Sequence, residues 1–220
     1  MPYFYDNNIN VLFIHIPKTG GTSIEDYFYS KFNIEPNTKS LFNWIDEDTK
    51  INNNMIIESS LQHITYKQMI QYNNVFNIDF NNIKLITIVR NPYERIISDL
   101  FFFDKIKLDT SPNEIFIIIQ EYLKSNEYDN HNLPQHIFIT DNDKDKTIIP
   151  NLCILHTETL TSDMKNLGYE DFELCINHNK YGKLNYYNYL NNESISFIND
   201  FYHYDFILFG YSKLTFEQNT

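Results

Sequence analysis

Three short apolar runs punctuate the chain, and each is followed by a stretch with different periodicity. Residues 11–16 (VLFIHI), 83–89 (IKLITIV) and 152–155 (LCIL) are continuous and rich in β-branched side chains, which predicts strands buried on both faces. After the first run, Pro17 and a glycine pair mark a turn. Residues 22–32 then place Ile24, Tyr27 and Phe28 at helical spacing. After the second run, Asn91-Pro92 supplies an N-cap and a first-turn proline, predicting a helix to about Phe103. Further helices are expected over 115–123 and 193–202, with one near 65–72; the remainder of 33–82 carries no readable element. With no internal repeat and no Pro/Gly/Ser linker, residues 1–220 are read as one domain. Strands alternating with helices predict an α/β fold of three layers, with a mainly parallel central sheet flanked by helices.

Composition narrows the function classes. Apolar residues make up 42% of the 220 positions and charged residues 21%, enough for a sizeable core and contrary to disorder. The formal net charge of −12 argues against general binding to nucleic acid or to an anionic membrane. A small anionic ligand remains compatible, because a few local cations and backbone dipoles outweigh a distant field. No apolar run reaches transmembrane length, and residues 1–10 lack a basic-then-apolar leader pattern, so a soluble, cytoplasmic protein is expected. Cys153 and Cys175 are too few for a disulfide framework or a four-cysteine zinc site; one pairing between them stays open, and two buried free thiols are the favoured reading. The chain has no alanine and abounds in Asn, Ile, Lys and Tyr, a bias of AT-rich codons. The asparagine clusters at 52–54 and 73–74 are accordingly read as solvent-facing loops. Of 17 basic residues only Arg90 and Arg95 are arginine, and they share one six-residue stretch.

The most informative segment is His15-Ile16-Pro17-Lys18-Thr19-Gly20-Gly21-Thr22-Ser23. A buried strand ends, glycines allow a tight turn, and a helix begins, which makes the expected fold P-loop-like. The N–H groups at that helix start converge where the macrodipole favours negative charge. Lys18 adds a full positive charge, and Thr22 and Ser23 add hydroxyl donors, so the segment is suited to phosphate or sulfate. A plain capped strand–turn–helix connection is the simpler alternative, and the Lys-Thr-Gly-Gly-Thr-Ser order weighs against it. The lysine precedes the glycines, unlike a Walker A loop, which counts against an ordinary ATPase or GTPase.

A second segment, Val89-Arg90-Asn91-Pro92-Tyr93-Glu94-Arg95-Ile96-Ile97-Ser98, repeats the strand–cap–helix pattern. Arg90 falls at a strand's C-terminal end, where ligands bind in open α/β sheets, and Ser98 lies about two helical turns on. Together they suit a second phosphate, gripped by the guanidinium fork. Arg95 is expected to be structural, paired with Glu94 or Asp99.

With both segments in hand, the chain resembles the PAPS-dependent sulfotransferases, in particular their carbohydrate-type branch. The resemblance implies that Lys18, Thr19, Gly20, Gly21, Thr22 and Ser23 bind the 5′-phosphosulfate of the donor PAPS. It implies likewise that Arg90 and Ser98 bind its 3′-phosphate, with PAP as product. Weaker echoes follow in family order at Leu133-Pro134-Gln135, at residues 155–160 (LHTETL), at Asn179-Lys180 and at the closing DFILFGY of 205–211.

The resemblance implies in-line sulfuryl transfer to a hydroxyl acceptor, expected to be a carbohydrate, with no metal required. Positioning and charge stabilisation then do most of the work, and Lys18 is assigned to the charge on the leaving phosphate oxygen. A base is needed for the acceptor proton, and of seven histidines His63 in Leu61-Gln62-His63-Ile64-Thr65 leads. Its competing role is to pack against or cap the following helix. Glu25 is the runner-up, with an exposed helix face as its simpler reading. His15 is expected to be a buried, hydrogen-bonded strand residue, and His131 and His136 to meet a sugar or lie on a loop. Two other readings stay open: a P-loop small-molecule kinase and a non-catalytic nucleotide-binding module.

Overall fold

The structure is a computed structural model that describes residues 1–37, 39–125, 127–141, 146–173, 182 and 184–215. Cys175, His178, Asn179, Lys180 and Lys183 lie outside the described residues.

The sheet has four strands in the order β1 (Tyr3–Tyr5), β2 (Asn10–Ile14), β3 (Lys84–Val89) and β4 (Leu152–His156). Strands β2, β3 and β4 are parallel, with Leu12 opposite Leu85 and Leu85 opposite Leu152. The edge strand β1 runs antiparallel to β2, Phe4 facing Val11. Three expected strands thus form a parallel core, and β1 is an addition. Its three residues are too few to show a period, although Tyr3 and Phe4 are both buried.

Alternation along the strands separates the two faces. Leu12, Ile14, Leu85 and Val89 join one cluster with Met69, Tyr72 and Phe209; Val11, Phe13, Ile86, Ile88 and Leu155 join the other with Ile24, Phe28, Leu160 and Met164. Apolar side chains on both faces account for the unbroken apolar runs.

Helix α1 (Gly21–Phe32) follows β2 through the glycine turn. The stretch before β3 holds α2 (Glu47–Asn52), α3 (Tyr66–Gln71) and α4 (Asn73–Phe76). Asn73 and Asn74 therefore open a short helix rather than a loop. Thr65 caps α3 in a reciprocal capping box with Gln68, so His63 is not the cap. After β3 come α5 (Pro92–Phe102), capped by Asn91 as expected, and α6 (Pro112–Tyr122), with a Ser111–Glu114 capping box. Helices α7 (Leu160–Asn166), α8 (Asn192–Phe201) and α9 (His203–Phe209) complete the chain. Helices α5, α6, α8 and α9 share a third apolar cluster around Ile97, Leu100, Ile119, Ile198 and Phe206. No helix among the described residues is long and apolar enough to cross a membrane.

Candidate active site

The turn after β2 is built to leave donors free. Lys18 has φ 65° and Gly20 φ 92°, two left-handed residues that swing the chain into α1. Gly20 is the N-cap and supplies no capping side chain. Among the described residues, the N–H groups of Gly20, Gly21 and Thr22 find no protein acceptor. Thr19 bonds its hydroxyl to Ile16 O at 2.8 Å and so holds the turn, while the Thr22 side chain is exposed and Ser23 is buried.

Gly21 is required for a reason the spacing alone does not reveal. A methyl group there would stand 2.4 Å from His15 Nε2, because the His15 ring occupies the space of a side chain. The turn is also tied to its neighbours. Thr157 reaches Thr19 O at 2.6 Å and Val89 O at 3.1 Å with its hydroxyl, and Arg95 donates to Pro17 O at 2.9 Å.

Arg90 follows β3 directly and meets the turn: its Nη1 donates to Lys18 O at 3.2 Å. Its other terminal nitrogen pairs with Glu94 at 3.2 Å, and Tyr186 lies beneath the guanidinium at 5.2 Å. The Arg90 peptide is clamped on both sides by Gln135, whose amide accepts from its N–H at 2.8 Å and donates to its carbonyl at 2.9 Å. Arg90 Nε is buried without a partner. Ser98 shares a face of α5 with Glu94 and Phe102, four residues to either side. Both flanking residues touch the cations, Glu94 bonding Arg90 and Phe102 lying 4.1 Å beneath the Lys18 ammonium. Among the described residues that ammonium has no ion-pair partner, and burial lowers its pKa, countered by Asp99 and reinforced by Arg90.

Arg95 is buried in a hydrogen-bonded role, but among the described residues it bonds no carboxylate, contrary to the expected pairing with Glu94 or Asp99. It is 2% exposed and donates to the carbonyls of Pro17, Leu133 (2.9 Å) and His131 (2.6 Å). One guanidinium, with five N–H donors, satisfies three converging carbonyls from a single side chain.

Three imidazoles form a row beside the cradle, each bound to a carboxylate through Nδ1. His15 meets Glu25 at 2.6 Å, His63 meets Asp129 at 2.7 Å and His131 meets Asp99 at 2.8 Å. Ring centroids are 5.0 Å apart from His15 to His63 and again from His63 to His131. His131 stacks on Phe102 at 5.5 Å, so one run of ring contacts joins His63 to the Lys18 ammonium. Glu25 is buried here rather than exposed, and Gln62 donates to both of its oxygens at 2.9 and 2.8 Å. His131 and His136 are likewise buried and acid-bound, the latter to Asp205 at 2.7 Å, instead of lying on an open loop. A residue just past β2 and a helix residue ten positions apart, or two turn residues separated by 66, meet only in the folded chain, which is why the acids escaped a reading of local spacing.

Burial drives the His63 pKa down to about 4, with both neighbouring imidazoles adding to the shift and Asp129 opposing it. The ring is therefore neutral at pH 7. Burial resists ionisation of Glu25 and Asp129, but their histidine partners and the Gln62 or Ser60 donors bring both below the usual carboxylate range. Ligand-type atoms of His63, Asp129 and His131 lie within 4.8 Å of one another, a spacing a cation could use. Each group already has a hydrogen-bond partner, so the geometry is that of paired acids and bases. A cavity of about 690 Å³ beside β1, with Tyr3, Tyr5, Leu41 and Phe76 in its wall, includes none of these residues.

A glycine turn with donors unclaimed among the described residues, the Lys18 ammonium and a guanidinium with an unpartnered Nε lie at adjacent strand ends, an arrangement suited to a ligand with two oxyanion groups. The sulfotransferase family pattern matches residues 1–212, and the chain belongs to that family, which includes carbohydrate sulfotransferases. It is thus a transferase whose co-substrate is PAPS. No curated protein and no solved structure matches it. The donors present fit PAPS, which carries two anionic ends: the buried, unpartnered Arg90 Nε and the unpaired Lys18 are cations awaiting an anion.

Proposed function

We propose that the protein transfers the sulfuryl group of PAPS to a hydroxyl of a carbohydrate acceptor, the whole chain working as one domain. The reading is supported most by the unclaimed donors of the turn, together with Lys18 and Arg90, gathered where β2 and β3 end. PAPS supplies the sulfuryl group and a phosphate leaving group. The N–H groups of Gly20, Gly21 and Thr22, with Ser23 and Lys18, hold the 5′ end; Arg90 and Ser98 hold the 3′-phosphate. Lys18 offsets charge as it develops on the leaving oxygen, in a partly desolvated position where such charge stabilisation is strongest. His63, neutral at pH 7, takes the acceptor hydroxyl proton as the new O–S bond forms and the old one breaks.

Thermal stabilisation separates this reading from a kinase. At 100-fold over Kd, a ligand binding only the folded state adds about 2.7 kcal/mol. PAP is expected to stabilise strongly, ADP and ATP much less, with no magnesium dependence; equal shifts with ATP contradict the reading. Transfer of labelled sulfate to a glycan panel tests the chemistry. Lys18→Ala is expected to lower transfer by about 10²–10³-fold without loss of fold. His63→Gln should lower it by about 10²–10⁴-fold, and near-normal transfer by that variant removes His63 as the base.

A further inference from the structure

The loop between α6 and Pro134 contains an unusual backbone feature. Asp129 (φ 49°) and Asn130 (φ 63°) are consecutive left-handed residues, a conformation that Asp and Asn tolerate better than other side chains and that turns the chain sharply here. Its effect is to bring three successive side chains against one residue. Asp129 Oδ2 meets His63 Nδ1 at 2.7 Å, Asn130 Nδ2 donates to His63 O at 2.9 Å, and the His131 ring stands edge-on to the His63 ring. Arg95 holds the end of the same loop by the carbonyls of His131 and Leu133, and with its third bond ties it to Pro17 O beside Lys18.

We propose that Asp129 is a positioning residue for the base, fixing His63 in the tautomer with hydrogen on Nδ1 and leaving Nε2 as the proton acceptor. This rests on the reading of His63 as base. The carboxylate itself is oriented independently of the histidine: Ser60 donates its backbone N–H to Oδ1 at 2.6 Å and its hydroxyl to Oδ2 at 2.9 Å. Ser60, at the start of the turn carrying His63 (Leu61–His63), makes clamp and ring one unit. His63 Nε2 has no protein partner among the described residues, as a proton acceptor for an external hydroxyl requires.

The Ser60 N–H can only donate. An asparagine at 129 must therefore turn its amide oxygen toward Ser60 and its NH₂ toward His63 Nδ1. That donor forces the hydrogen onto Nε2, the atom that has to be bare. A wrong tautomer in otherwise intact geometry disables a base while leaving binding untouched.

The test uses full-length protein with ¹⁵N-labelled histidine, saturated with PAP at pH 7, and His63→Gln to assign the His63 signals. Long-range ¹H–¹⁵N correlation is expected to show His63 neutral with hydrogen on Nδ1 in the wild type and on Nε2 in Asp129→Asn. Labelled-sulfate transfer from PAPS to a glycan mixture is expected to fall by about 10²-fold or more in Asp129→Asn, with PAP affinity unchanged. A wild-type His63 that carries its hydrogen on Nε2 overturns the proposal, whether or not the variant folds. So does an Asp129→Asn protein with the flipped tautomer and undiminished transfer. His63→Gln with normal transfer refutes the base reading instead, and the tautomer data identify which of the two has failed.

Discussion

The two halves of the site treat their polar groups in opposite ways. Around the cradle, among the described residues, three backbone N–H groups and Arg90 Nε have no hydrogen-bond acceptor and the Lys18 ammonium, over the Phe102 ring, has no ion-pair partner. In the imidazole row, every histidine has a carboxylate within 2.8 Å, and Glu25 and Asp129 each have a further donor. Donors left without protein acceptors at adjacent strand ends suit an external anionic ligand, as proposed above. A saturated network marks where the protein itself holds geometry. On the proposed reading, binding and positioning are divided between neighbouring regions, joined by the Phe102 ring and by the three carbonyl bonds of Arg95.

Acid should break the saturated half first. His63 has a folded pKa of about 4 against an ordinary 6.5, so the unfolded chain binds the extra proton across that interval. Its contribution to stability is complete above pH 6.5 and is lost as pH falls toward 4; Glu25 and Asp129, lowered in the fold, extend the loss to more acid pH. Urea midpoints measured from pH 7 to 4 should fall steeply, and His63→Gln should flatten the upper part of that fall. Next in size, Gly21→Ala is expected to destabilise by about 1–3 kcal/mol through overpacking against His15. In a His15→Ala background the same change should cost nothing, a coupling that a double-mutant cycle reads directly. Thr157→Val removes the hydroxyl that ties the turn to β3 and should cost about 1 kcal/mol in chemical denaturation. The smallest effect belongs to Glu94→Gln. On the proposed reading it releases Arg90 from a part-buried ion pair that competes with the ligand, and calorimetry should show PAP binding tighter by about two- to five-fold.

The cradle was readable from the chain because its parts are consecutive: strand end, glycines, helix start, and a lysine between them. The same holds for Arg90, the Asn91 cap and Ser98, and for the parallel strands, whose apolar runs need no partner to be recognised. The row of imidazoles was half legible. His15 was expected to be buried and hydrogen-bonded, and is, but Glu25 looked like an exposed helix residue. Its acidity gave no hint that a histidine ten residues earlier would cover it. Asp129, Asp99 and Gln135 act through contacts 32 to 66 residues distant, and no local pattern encodes such meetings. Arg95 was expected to pair with Glu94 or Asp99, yet its partners are main-chain carbonyls, which every residue offers and which therefore leave no mark in a sequence.

The central claim is that the cradle and Arg90 grip opposite ends of one donor, and a ligand–protein cycle tests it directly. Calorimetry would compare PAP with adenosine 5′-monophosphate, which lacks the 3′-phosphate, on the wild type and on Arg90→Ala. Arg90→Ala is expected to weaken PAP by about 10- to 150-fold, the range for a charged hydrogen-bonded contact, and to leave the monophosphate unchanged. Equal weakening of both ligands would contradict the account.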